Sequence, residues 1–148
     1  MVPIVSTMLR GVSIMAVFSK KSRERLETCD PRLIQVMELA IQRIDFSVRE
    51  GHRNQADQDA AVARGMSKTP WPKSKHNRYP SHAVDIYPHP FENGYWKQPQ
   101  VWADQAKIVL DCAAELGIRL RWGGDWNQNG EWRDERFFDG PHFELLED

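Results

Sequence analysis

The run Ala83-Val84-Asp85-Ile86-Tyr87 sets a carboxylate in the middle of an apolar segment. Its β-branched and aromatic residues read as a strand. Successive side chains of a strand point to opposite faces, so Asp85 shares a face with Ala83 and Tyr87. An unpaired carboxylate in a sheet costs several kcal/mol. The chain must therefore fold so that this face offers Asp85 backbone donors, an arginine or a metal ion.

Other elements follow from local signals. Asp30-Pro31 is a helix start, an N-cap acceptor followed by proline at the first helical position. Leu33, Ile34, Met37, Ala40, Ile41 and Ile44 recur at helical spacing, which predicts a helix over 31–44. A short polar helix is expected over 20–28, and Phe46-Ser47-Val48-Arg49 reads as a strand. Asn54 caps a predicted helix through Arg64, stopped at Gly65. Residues 66–80 and 88–99 are read as proline-rich loops. The clearest helix is 101–116, closed by Gly117. Ile118–Trp122 is read as a strand, 123–140 as a loop rich in Gly, Asn and Asp, and His142–Leu145 as a last short strand. This pattern implies an α+β fold, a small antiparallel sheet with helices packed on one side.

The 148 residues make one domain. We read 19–148 as that domain and 1–18 as an N-terminal extension, with translation starting at Met1 or Met15. Twenty basic residues against 21 acidic leave no electrostatic footprint for nucleic acid or an anionic membrane. Two cysteines, Cys29 and Cys112, exclude a disulfide scaffold and are expected to be buried and reduced. No apolar run is long enough to span a membrane. Arg10 splits the apolar start, and Phe18-Ser19-Lys20-Lys21 is a poor cleavage site, so no secretory signal is expected.

Three places carry polar, metal-competent residues: Ser74-Lys75-His76, Asp85, and Asp139-Gly140-Pro141-His142. Singly, each has an ordinary reading: a solvated loop histidine, a carboxylate on backbone amides, a strand-edge histidine. Together, His76, Asp85 and His142 form a His, Asp, His set that leaves a fourth zinc position open for water, the pattern of catalytic zinc. Asp139 would then serve as a proton carrier beside that site, or else as a turn acceptor before Gly140.

The order and spacing of these segments resemble one family of zinc peptidases. It comprises the D-alanyl-D-alanine carboxypeptidases and dipeptidases and the L-alanyl-D-glutamate endopeptidases of phage lysins. The resemblance spans about residues 30–146 and includes Gly51-His52-Arg53-Asn54 with Gln58, and Arg121-Trp122-Gly123-Gly124-Asp125-Trp126. It implies a Hedgehog/DD-peptidase-like fold, with His76, Asp85 and His142 as zinc ligands and Asp139 as catalytic base. It also implies that Arg53 polarises the scissile carbonyl or holds a substrate carboxylate, a task that suits a planar, always charged fork. Ser74 is expected to bond substrate or to order its loop, and Trp126 to contact substrate. His82 is a rival first ligand. His76 is preferred, because His82 lies three residues before Asp85 and should face the other way. His52 and His89 are expected to be non-ligands. Dipeptidase members carry Glu where this chain has Asp139, and the phage branch carries Asp.

Asp125-Trp126-Asn127-Gln128-Asn129-Gly130 also matches the start of a calcium loop, with Asp125, Asn127 and Asn129 as candidate ligands. Arg136 stands where the closing glutamate belongs, so Asp134 or Glu135 would have to substitute; the alternative is an ion-free turn. The resulting expectation is a monomeric zinc metallopeptidase that hydrolyses an amide of peptidoglycan stem peptides. The bond implied is L-alanyl-D-glutamate, cut by a phage-type endolysin held in the host cytoplasm until membrane opening releases it to the wall. The alternatives are a D-alanyl-D-alanine carboxypeptidase and a non-catalytic, zinc-containing wall-binding module.

Overall fold

The structure, a computed structural model, describes residues 6–9 and 12–146. An antiparallel hairpin of β1 (Ser6–Leu9) and β2 (Val12–Met15) comes first. Then follow α1 (Lys20–Leu26), α2 (Pro31–Ala40), β3 (Phe46–Glu50), α3 (Gln55–Ala63), β4 (Ala83–Pro88), α4 (Pro99–Leu116), β5 (Leu120–Trp122) and β6 (His142–Leu145). The expected extension over 1–18 falls partly on residues 1–5, 10 and 11, outside the described residues, as does a start at Met1. Phe18 rests edge-on against Phe46, with ring centroids 5.6 Å apart.

Strands β3 to β6 form an antiparallel sheet in the order β3-β4-β6-β5. The fold is therefore α+β, as the alternation of elements implies. Alternation along the strands sorts the two faces. Phe46, Val48, Val84, Ile86, Phe143 and Leu145 point into one core with Leu33, Val36 and Met37 of α2 and Trp102, Val109 and Cys112 of α4. Cys29 and Cys112 are both buried and free. The opposite face carries Asp85, Tyr87, His142 and Glu144. The pairing register sets Asp85 directly across from His142, and Arg121 across from Glu144.

Local chemistry explains where elements stop. The Asp30 carboxylate accepts from Arg32 N at 2.9 Å, and Pro31 opens α2 as expected. That helix ends at Ala40 rather than 44. Its last turn tightens, Gln42 N bonding Leu39 O and Arg43 N bonding Ala40 O, an i→i−3 pattern common at helix ends. Likewise β5 begins at Leu120 rather than Ile118. Gly117 is left-handed (φ 70°), and the Ile118 amide bonds back to Ala113 O to close α4, so it is not free for a strand. Short 3₁₀ turns, Lys75–Asn77 and Asn93–Lys97, break the two stretches read as plain loops. Among the described residues no helix is long and apolar enough to cross a membrane.

Candidate active site

The polar face of the sheet is the floor of a cleft of about 720 Å³. Segments 64–75, 121–126 and 137–139 wall it. Three side chains from three separate segments meet on this floor. Asp85 comes from the middle of β4 and His142 from the start of β6. His76 sits in the 3₁₀ turn, whose N-cap Ser74 accepts from His76 N at 3.2 Å. The three ligand-competent atoms are His76 Nε2, Asp85 Oδ1 and His142 Nδ1. They lie 3.1 Å (His76–Asp85), 3.2 Å (His76–His142) and 3.2 Å (His142–Asp85) apart.

The outer nitrogens fix what the inner ones can do. His76 Nδ1 faces Gly51 O at 2.8 Å, and His142 Nε2 faces Glu144 Oε1 at 2.9 Å. A carbonyl and a carboxylate accept only, so each outer nitrogen carries its hydrogen. In the neutral rings His76 Nε2 and His142 Nδ1 are then lone pairs, aimed at each other and at a carboxylate oxygen. Three convergent lone pairs need a cation among them. Two imidazole nitrogens and one carboxylate, each imidazole backed by an acceptor, are the donor set of a catalytic zinc site. These residues fit that metal.

The electrostatics agree. Burial disfavours charge on His142, yet its bonds to Asp85 and Glu144 outweigh that and push its pKa up to about 10. Burial likewise opposes charge on Asp85, but the two histidines hold its carboxyl far below the usual range. The cluster thus holds a positive charge strongly, as a proton or as a metal in its place.

Asp139 stands beside this centre, its Oδ2 4.0 Å from His142 Nδ1. Burial first, and the charge of Asp85 second, raise its carboxyl to about 6. Its backbone is pinned: Asp139 N bonds Gly123 O at 2.8 Å, and His142 N bonds Asp139 O at 3.1 Å. Arg53 points its guanidinium along the same floor. Nε bonds Glu50 at 2.7 Å, Nη1 bonds Gln58 at 2.9 Å, and Nη2 lies 3.8 Å from Asp85 Oδ2. The bulge between Val48 and Glu50 brings Glu50 opposite Asp85, where it can hold Arg53. Trp126 donates Nε1–H to Phe137 O at 2.7 Å and sets its ring 5.4 Å from that of His142.

Other expected residues lie apart from the cluster. His82 Nε2 is 3.7 Å from Asp30, away from the metal-competent atoms. His52 packs on Tyr79, its Nδ1 facing Arg78 O. In the 125–130 loop the Asp125 carboxylate accepts from the Asn129 and Gly130 amides, at 3.1 and 2.8 Å. Asn127 Oδ1 accepts from Asn129 N at 3.3 Å, and Asn129 Nδ2 donates to Asp134. Sequence reasoning missed Glu144. It bonds His142 and is paired with Arg121 at 2.8 Å and Lys75 at 3.3 Å. Its signal was present: two residues after His142 in a strand is the same face.

Known proteins share both the sequence and this arrangement of chain. The phage L-alanyl-D-glutamate peptidase family matches residues 14–146. The L-alanyl-D-glutamate peptidase of Escherichia phage T5 is 33% identical over 135 residues, 87% of this chain and 97% of that one. The crystal structure of the Serratia marcescens L-Ala D-Glu endopeptidase ChiX is similar with a TM-score of 0.67 at 33% identity, covering 88% of this chain and 90% of that one. Sequence and fold agree over nearly the whole length, and this chain belongs to the phage L-alanyl-D-glutamate peptidase family.

Proposed function

We propose that this protein is a zinc peptidase that hydrolyses the L-alanyl-D-glutamate bond of peptidoglycan stem peptides, acting as a phage-type endolysin. The observation that carries the reading is the convergence of the His76, Asp85 and His142 lone pairs at the floor of a cleft, with the Asp139 carboxylate beside them. Held by those three atoms, zinc would polarise the scissile carbonyl and make water a better nucleophile at neutral pH. The chain supplies the rest. Asp139 Oδ2 accepts the proton of the attacking water and returns it to the departing D-glutamate amine. Arg53, fixed by Glu50 and Gln58, presents a guanidinium to the developing oxyanion or to a substrate carboxylate. Trp126 and the walls of the cleft exclude bulk water from one side, and Ser74 orders the loop that delivers His76 while lining the cleft.

The chain is read as made in the host cytoplasm and reaching the wall once the membrane opens. Calcium held by Asp125, Asn127 and Asn129 is a separate proposal, that an ion adds rigidity to the loop before Asp139. Titration of zinc-loaded protein with calcium tests it, and absence of heat counts against it. The ligand and base roles separate by experiment. Asp139→Ala is expected to keep stoichiometric zinc and lose at least about a hundredfold in kcat. His142→Ala is expected to lose the metal itself. Full turnover in the first variant, or unchanged zinc in the second, overturns these assignments.

A further inference from the structure

The cleft has two chemically different ends, and the strand register separates them. From Asp85 toward Ala83, β4 runs alongside Glu144 of β6. That end is cationic. Lys75 and Arg121 flank Glu144, and Lys68 lies over Phe137, 4.8 Å from its ring centre. In the other direction, two residues and about 7 Å along the strand, stands Tyr87. That end is aromatic. Trp96 stacks on Trp102 with centroids 5.0 Å apart and planes 25° apart, and meets Tyr87 edge-on at 5.3 Å and Phe91 at 5.6 Å. Trp102 is 1% exposed and donates Nε1–H to Tyr95 O, so the platform beneath Trp96 is rigid. Trp96 itself remains 51% exposed and lines the cleft. Arg49 covers Tyr87 at 4.3 Å and adds hydrogen-bond donors at the rim.

We propose that this aromatic end is a sugar subsite, with Trp96 as the surface on which the muramic acid ring of peptidoglycan stacks. The inference rests on the peptidase reading above. The chemistry of the polymer has the same asymmetry as the cleft. On one side of the L-alanyl-D-glutamate bond the chain continues through carboxylate-bearing residues, which suit the cationic end. On the other side a single alanine joins the peptide, through an uncharged amide, to the lactyl group of the sugar. A pyranose offers a face of C–H groups to an indole and an edge of hydroxyl and N-acetyl groups to polar neighbours. A rigid, half-exposed tryptophan against Tyr87, on the side of the centre away from the cationic end, matches that ring. The carboxylates on the other side of the bond gain nothing comparable from the electron-rich face of an indole.

The test compares two substrates with the full-length zinc enzyme. One is an N-acetylated tripeptide beginning L-alanyl-D-glutamate. The other is the same tripeptide carried on N-acetylmuramic acid. The wild type is expected to show the higher kcat/KM on the muramyl substrate. Trp96→Ala is expected to lower it about three- to tenfold on that substrate, through KM, and to leave the acetylated peptide unaffected. Trp96→Phe, which keeps a flat ring, is expected to retain most of the preference. Equal losses on both substrates, or none on either, overturn the sugar subsite while leaving the peptidase reading intact. A wild type that cleaves neither substrate overturns both.

Discussion

His142 shows how one side chain is prepared for its role by the groups packed behind its ring. Its Nδ1 faces Asp85 and His76 because Nε2 is held by Glu144, and Glu144 is in turn held by Arg121 and Lys75. A carboxylate behind a ligating imidazole fixes its tautomer and raises its basicity. Glu144→Gln is expected to keep the fold and weaken zinc binding about 10- to 100-fold in a competition titration against a chromophoric chelator. An unchanged affinity would show that the ring is oriented by packing alone. Of the residues at this scale, Asp85 stood out as a carboxylate in an apolar strand, whereas His76, Asp139 and His142, each ordinary alone, were legible through their order and spacing and the family resemblance these carry. Glu144 was legible only as a residue on the same strand face as His142, and the carbonyl of Gly51 not at all, because their pairing with the rings exists only after folding sets them behind.

At the scale of elements, the site depends on how the segments end. Helix α2 begins where Asp30 caps it, and the Asp30 amide bonds Ser81 O just before β4. The cap thereby helps seat the strand that carries Asp85. The Asp30 carboxyl lies below its ordinary pKa, chiefly through its bond to Arg32. A carboxyl with a depressed folded-state pKa contributes stability above its unfolded pKa, and that contribution is lost as pH falls through the folded value. Asp30→Ala is expected to cost about 1 kcal/mol at neutral pH. The gap from wild type should narrow below about pH 4, as read by urea denaturation at several pH values. A gap that does not change with pH would assign the cost to packing.

Most elements were legible through caps and periodicity: Asn54 before α3, Gly117 after α4, alternation in β4. The boundaries that moved did so for reasons a linear pattern does not carry. The Ile118 amide closes a helix instead of starting a strand. Gly123 illustrates the same limit. A Cβ there would lie 2.3 Å from Asp139 O and 3.1 Å from the Cβ of His142. That close approach sets Asp139 and His142, yet in sequence Gly123 is one of several glycines in a loop.

For the whole molecule, the sheet keeps one face for the core and the other for the polar cluster, and the proposed zinc would join three distant segments of the chain on that second face. Metal binding is therefore linked to folding. Zinc at about a hundred times its dissociation constant should add about 2.7 kcal/mol. That corresponds to a rise of about 5–10 °C in Tm for a chain of this size. Excess chelator should remove the rise, and His142→Ala should not show it. A wild-type Tm indifferent to chelator would mean that the three donors do not hold a metal in solution.

Purified Gram-negative peptidoglycan, digested with and without chelator and read by mass spectrometry, reports the bond and the metal together. Stem peptides beginning at D-glutamate are expected to be released, the release abolished by chelator and restored by zinc. Release of D-alanine alone would contradict the assigned bond, and undiminished cleavage in chelator would contradict the metal centre.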